Sequence, residues 1–320
     1  EYIRTRNAGT IVFALAMGIL LTLMGETVWR ESNARERTTE SDGFPKFGFI
    51  DKTGTFVIEP QFELAYDFAE GYAPVAKSGV YRFIGRTGDY LSDYEFENAA
   101  PFSDGLAQVQ LGSKVGYLDT AGKLAIAPAY FPAGAFSEGL APAATEGAYG
   151  YIDKEGKFVI PPQFDHATPF QEGFAGVVQD RRAGYIDKSG DVVIAMTFDS
   201  AGPFTDGVAR VRKGRESFLI DTNGRRVDAT PKYGLAAATS GDLYPIQSGA
   251  KWGFAGADGK IVVSPRYDAV LPFSEGLAAV KRNRRYGYID TTGAEVIPPQ
   301  FLRAYSFRDG LARVRTWGES

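Results

Sequence analysis

GYIDKEGKFVIPPQFDHATPFQEGFAGVV, Gly150 to Val178, is the stretch from which the fold is read. Tyr151-Ile152 and Phe158-Val159-Ile160 are aromatic and β-branched, the residue types that suit a pleated, half-buried surface. Between them Asp153 to Gly156 forms a four-residue turn. Aspartate accepts backbone N–H groups at the first position, and glycine tolerates a positive φ at the last. Pro161 and Pro162 supply no ladder N–H and end the second strand. PFQEG then makes another corner before the third strand, FAGVV. The stretch reads as a three-stranded antiparallel meander of short strands.

The same signals recur outward in both directions. The turn glycine repeats at Gly54, Gly88, Gly122, Gly156, Gly190, Gly224, Gly259 and Gly293. The corner glycine repeats at Gly71, Gly105, Gly139, Gly173, Gly207, Gly241, Gly276 and Gly310. An aromatic residue repeats at Phe62, Phe96, Tyr130, Phe164, Phe198, Tyr233, Tyr267 and Phe301. In each set the spacing is 34 residues with a single gap of 35, so eight units run from Lys46 to Arg315. Helical periodicity is absent after Gly43. The expected fold is an all-β tandem-repeat domain of eight three-stranded antiparallel meanders.

The units resemble the bacterial WG repeat, also called the KWG repeat. Its pattern is roughly W-G-[FY]-I-D-x-x-G-x-x-V-I-x-P-x-[FY], then F-x-E-G-L-A-x-V. KWGFAGADGKIVVSPRYDAVLPFSEGLAAV, Lys251 to Val280, matches almost throughout. Within the array only Trp252 keeps the tryptophan; Tyr149, Tyr286 and Phe47 replace it. Two units depart. In the second, Arg82 replaces the glycine, Gly85 the aspartate, and no proline follows Leu91. In the sixth, Phe218 replaces the glycine and LYPI, Leu243 to Ile246, replaces LAxV. The resemblance implies a repeat scaffold with no established catalytic centre, built for interaction.

One small meander cannot bury its own face, so stacked neighbours must cover it. The repeated aromatics, together with the phenylalanine of the PFSEG corner (Phe68, Phe102, Phe136, Phe170, Phe204, Phe273, Phe307), are expected as core. Burying each ring contributes about 1.5–3 kcal/mol. The phase of the array bears on its closure. It opens with KFGFIDKTGTFVI and ends with the strand GLARVR, Gly310 to Arg315. A ring is closed if this last strand pairs with Phe47 to Ile50, the strand exchange of β-propellers. A propeller-like ring is preferred over an open curved β-solenoid, whose ends need atypical polar caps.

From Asn7 to Gly25 no residue is charged, and Ile11 to Met24 reads IVFALAMGILLTLM. A helix of about 20 residues spans a hydrocarbon core of about 30 Å. The expectation is one N-terminal transmembrane α-helix, an uncleaved signal anchor over 1–29. A charged linker over 30–45 follows, then the WG-type β-repeat domain over 46–320. The repeat domain is expected on the periplasmic or otherwise extracytoplasmic side, with membrane lipid a partner through the helix.

Composition narrows the chemistry. There is no cysteine and one histidine, His166. Disulfide scaffolds, thiolate metal sites and cysteine nucleophiles are excluded. Repeated D-x-x-G turns supply one carboxylate each, against the six to eight oxygens of a calcium site, so Asp51, Asp119, Asp153, Asp187, Asp221 and Asp290 are expected as turn caps. His166 is expected in an exposed loop. No P-loop, nucleophile-elbow or dinucleotide motif occurs. No enzyme activity, cofactor or metal is expected.

Charge alone breaks the repeat symmetry. Phe47 to Val208 holds 11 Lys/Arg against 22 Asp/Glu, and Ala209 to Ser320 holds 18 against 11. Such asymmetry orients an incoming partner. The candidate partner-binding patch is Arg210, Arg212, Lys213, Arg215, Lys281, Arg282, Arg284 and Arg285. The expected function is a membrane-anchored, non-catalytic scaffold mediating protein–protein interaction. It would serve as an accessory or structural subunit of a membrane or envelope complex, photosynthetic or respiratory complexes among them. Nucleic acid is disfavoured and no small-molecule substrate is expected; the alternative is an extracytoplasmic small-ligand or glycan-binding module.

Overall fold

The computed structural model describes residues 44–227, 243–256 and 258–317. The expected anchor over 1–29 and most of the linker lie outside these residues, as do Tyr233 and Gly241 of the sixth unit. Among the described residues no helix is long and apolar enough to cross a membrane.

The described chain is all β, in eight antiparallel sheets of three or four strands. The sequence repeat is visible in the sheets, but the sequence unit is not a sheet. The expected meander is corrected at this point. Tyr151-Ile152 and Phe158-Val159-Ile160 belong to strands Ala148–Ile152 and Phe158–Phe164, two of the three strands of sheet 4 (141–164). The third segment of the same unit, FAGVV, contributes to Ala175–Gln179 in sheet 5. Sheet 5 runs in space His166–Ala167, Ala175–Gln179, Arg182–Ile186, Val192–Phe198. Each sequence unit therefore straddles two sheets, because the corner after the aromatic residue carries the chain across to the next sheet.

This straddling couples neighbouring sheets. The Tyr151 hydroxyl donates to the Thr168 carbonyl at 2.8 Å, and the Tyr151 and Phe170 rings stand 4.8 Å apart. The same bond joins Tyr117 to Gly134, Tyr185 to Gly202 and Tyr288 to Tyr305. All the described corner phenylalanines are buried, as are Phe62, Phe96, Tyr130, Phe164, Phe198, Tyr267 and Phe301. The repeated rings are thus core. Inclined ring pairs of this kind add about 0.5–1.5 kcal/mol beyond area burial.

The two ends of the array meet in one sheet. Sheet 1 runs Phe56–Phe62, Lys46–Ile50, Ala312–Thr316, Arg303–Ala304. At its centre Phe47 pairs with Arg315, Gly48 with Val314, Phe49 with Arg313 and Ile50 with Ala312. Arg313 reinforces this seam, its Nε 2.6 Å from Asp67 Oδ1 and its guanidinium 3.5 Å over the Tyr305 ring.

A glycine in the third strand of a sheet governs the outer strand. A Cβ on Gly150 would lie 2.3 Å from the Ile160 carbonyl oxygen, and on Gly253 2.2 Å from that of Val263. Gly48, Gly116, Gly184 and Gly287 are crowded in the same way. The outer strand, bulged opposite the glycine, passes too close for any side chain. Sheet 2, which lacks this glycine, has lost the regular outer strand. In sheet 2 (64–85) Arg82 occupies the place and the chain over 90–96 makes only two isolated bridges, Ile84 to Tyr90 and Tyr81 to Phe96. In sheet 6 (200–227) Phe218 occupies the same place, and the outer strand is described only over Arg226–Val227.

Candidate functional site

Strand order gives every sheet two ends. The turn between the first and second strands and the turn between the third and fourth share one end. The hairpin between the second and third strands lies at the other.

The turn end is a network of carboxylates. Asp153 Oδ1 accepts from the N–H groups of Glu155 at 3.1 Å and Lys157 at 2.8 Å. Asp51, Asp119, Asp187, Asp221 and Asp290 cap their turns in the same pattern. These bonds favour the ionised form. The Thr53 hydroxyl and the Thr55 and Thr53 N–H groups hold the Asp51 carboxyl below its ordinary value.

The corner acids serve a different purpose. Ser137 and Leu140 exchange both backbone hydrogen bonds around Glu138-Gly139, with φ of 55° and 90°. This is the two-residue type I′ hairpin. Glu70, Asp104, Glu172, Asp206, Glu275 and Asp309 occupy the same left-handed position. A glutamate there is unusual, and its carboxylate accounts for it. Glu70 accepts from the Gly105 N–H, Asp104 from Gly139, Glu138 from Gly173, Glu172 from Gly207, Glu275 from Gly310 and Asp309 from Gly71. Each of these six corners holds the next, and the last described link returns from Asp309 to the start of the array. Lys154 joins Asp104 at 3.1 Å, Lys188 joins Glu138 at 3.0 Å and Lys52 joins Glu275 at 3.2 Å. Burial opposes ionisation of Glu138 and Asp104. Their lysine and glycine N–H donors outweigh it and hold both carboxyls below the ordinary range.

The candidate basic residues lie toward the hairpin end. Arg210, Arg212 and Lys213 sit on Val208–Lys213 of sheet 6, with Arg215 in the hairpin that follows, all four exposed. Lys281 and Arg282 end Leu277–Arg282 of sheet 8 (269–301), Arg284 is in the hairpin and Arg285 opens Arg285–Asp290. The two groups occupy equivalent hairpins two sheets apart in chain order, so the structure gives them one end of the sheets but not one cluster. Arg282 pairs with Glu295 at 2.7 Å, and Lys281 lies 5.6 Å over the Tyr286 ring. Register adds residues that charge counting overlooked. Arg212, Lys281 and Arg315 hold the same place, opposite Ser217, Tyr286 and Phe47. Arg315 also faces Arg303 directly across the strand pair. Burial first, then the Arg303 charge, lowers the Arg315 pKa.

His166 is a second correction. It lies not in an exposed loop but in the short strand His166–Ala167, partly buried, 5.5 Å from the Tyr149 ring. Burial lowers its pKa. Among the described residues no group of three or more histidines or acids is placed to hold a metal ion.

The second irregular feature belongs to sheet 2. The Arg82 guanidinium lies 3.8 Å over the Tyr90 ring and its Nη2 donates to the Ser92 carbonyl at 3.1 Å. Beside it is a cleft of ≈ 230 Å³ lined by Val75, Lys77, Ser78, Val80, Arg82, Tyr90 and Glu95. Tyr90 and Tyr94 are both exposed.

Sequence comparison adds one match. The family model described as WG containing repeat matches residues 47–81, 81–114, 116–147, 149–181, 184–215, 252–285 and 286–316. Seven repeats are matched where eight were counted; the unmatched stretch is the sixth unit, which carries Phe218. No curated protein matches the chain. Three solved structures show low similarity. One is described as the crystal structure of the eukaryotic initiation factor, with 10% identity over 82% of this chain and 86% of that one, at a TM-score of 0.43. The second is PorZ of Porphyromonas gingivalis, an essential bacterial surface component of the type-IX secretion system. It is 11% identical over 75% of this chain and 38% of that one, at a TM-score of 0.37. The third is Hsv2p of Kluyveromyces lactis, 8% identical over 72% and 74% of the two chains, at 0.35. Likenesses this distant carry no functional argument.

Proposed function

The chain belongs to the WG-containing repeat family, and on that premise we propose that it is a non-catalytic interaction scaffold. Its eight sheets form a closed, propeller-like ring, a reading supported by the seam pairing in sheet 1. The scaffold is held in the membrane by residues 1–29 as a single-pass anchor, with the array on the extracytoplasmic side. It serves there as an accessory or structural subunit of a membrane or envelope complex. One observation carries this reading: the recurring polar side chains are engaged within the array. The turn aspartates cap their own turns, the corner acids hold the next corner, and the core tyrosines donate to backbone carbonyls. The hairpin end also presents exposed cations on sheets 6 and 8. That end is the docking surface for an acidic subunit.

Gentle detergent solubilisation of the full chain tests this. A stoichiometric partner should co-purify, and reversal of Arg212, Lys213 and Arg215 to glutamate should release it. Elution of the unaltered chain as a lone monomer counts against the scaffold. A second reading, a small-ligand module, is favoured by a separate observation: the exposed tyrosines and cleft of sheet 2.

A further inference from the structure

Sheet 2 departs from its neighbours in a concerted way. The glycine that admits the outer strand is Arg82, and the strand is replaced by a segment bearing Tyr90, Tyr94 and Glu95. An arginine placed there displaces ladder pairing that the other glycine-bearing sheets keep. Its Nε is also buried without a hydrogen-bond partner among the described residues. Features that work against the fold in this way collect at binding sites.

We propose that this cleft binds a small carboxylate that also carries a hydrogen-bond donor. This deepens the small-ligand reading; the cleft is also at the hairpin end, but on sheet 2 and not on the cation-bearing sheets 6 and 8. Val75 pairs with Arg82 and Lys77 with Val80 across adjacent strands. Side chains two apart on a strand share a face, so all four project to the same side. Lys77 and Arg82 therefore stand as two cations beside Val75 and Val80 on that side. Tyr90 clamps the Arg82 guanidinium by stacking, and the Ser92 carbonyl fixes its rotation. A planar guanidinium held in this way is preorganised for a carboxylate. Asp93 lies 3.8 Å from Nη2 but is fully exposed, and an exposed pair of that length is weak. Glu95 lines the same cleft and accepts from a hydroxyl or ammonium of the ligand. A volume of ≈ 230 Å³ falls below the pockets of about 300–1,000 Å³ that hold drug-sized ligands. The site accommodates one sugar acid or one acidic amino acid, not an extended chain.

Isothermal titration of the full chain with glucuronate, glutamate, glucose and propanoate tests the proposal. Glucuronate or glutamate should bind with a Kd near the millimolar range, about tenfold tighter than glucose or propanoate, a difference of about 1.4 kcal/mol. Whichever of the two binds identifies the ligand as a sugar acid or an acidic amino acid. Arg82→Gly should abolish binding without lowering the thermal midpoint, since it restores the glycine of the other sheets. Lys77→Ala, at an exposed position, provides a second variant that keeps the fold. Failure of both carboxylates to bind overturns the proposal. So does glucose binding as tightly as glucuronate, or binding retained in both variants.

Discussion

Single side chains in this array are decided by how closely backbones approach. Gly150 has no positive φ; it is required because the outer strand crosses it. Gly150→Ala should force that strand away and destabilise the fold by about 1–3 kcal/mol, the usual range for overpacking, measurable by urea denaturation. Tyr151→Phe should cost about 1 kcal/mol, because the Thr168 carbonyl loses its donor. A thermal midpoint equal to that of the parent would show that the bond does not couple the sheets. At this scale the sequence was partly legible. The turn-capping role of Asp153 and its equivalents follows from one carboxylate in a D-x-x-G turn. The reason for the recurring glycine does not, because the carbonyl that crowds it lies ten residues away on another strand. His166 was misread because its position follows an aromatic that ends one strand, and the next short strand has no hydrophobic pattern of its own.

Elements are where the sequence unit and the structural unit part company. Every strand of the representative meander exists, yet the third belongs to a different sheet from the first two. A corner such as PFQEG specifies a reversal of direction. It does not specify whether the chain returns to the sheet it left, since that depends on contacts between sheets. Those contacts include the corner acids. Glu138 is held in the left-handed region and its carboxylate is satisfied by Gly173 and Lys188. Its pKa, and that of Asp104, are lowered on folding, so their contribution is complete above the unfolded carboxyl value of about 4. It is lost as pH falls through the lower folded value. The thermal midpoint should stay level at neutral pH and drop in that acidic window. Glu138→Gln with Asp104→Asn should flatten part of that drop; an unchanged acid profile would remove the corner acids from the account.

The molecule as a whole returns to its starting point. Lys46–Ile50 and Ala312–Thr316 lie side by side in sheet 1, so a peptide linking residues 45 and 317 with new termini at Glu146-Gly147 should fold. Circular dichroism and a thermal midpoint near that of the parent are the expected result; a molten chain would show that the seam needs its free ends. The pairing of first and last strands was readable from repeat phase, which left a strand at the end without its neighbour. The function was not. Its candidate residues are cations whose partners lie outside this chain, and the Arg82 cleft was visible only as a break in a pattern.

The seam also has a mechanical consequence. Its two strands are antiparallel, and both termini leave from the same end of the five paired residues Lys46–Ile50. Tension between the termini therefore opens the ladder one pair at a time, as a zip, instead of shearing all its hydrogen bonds together. A molecule pulled by its ends should yield first, and at low force, in sheet 1, while the remaining sheets stay folded.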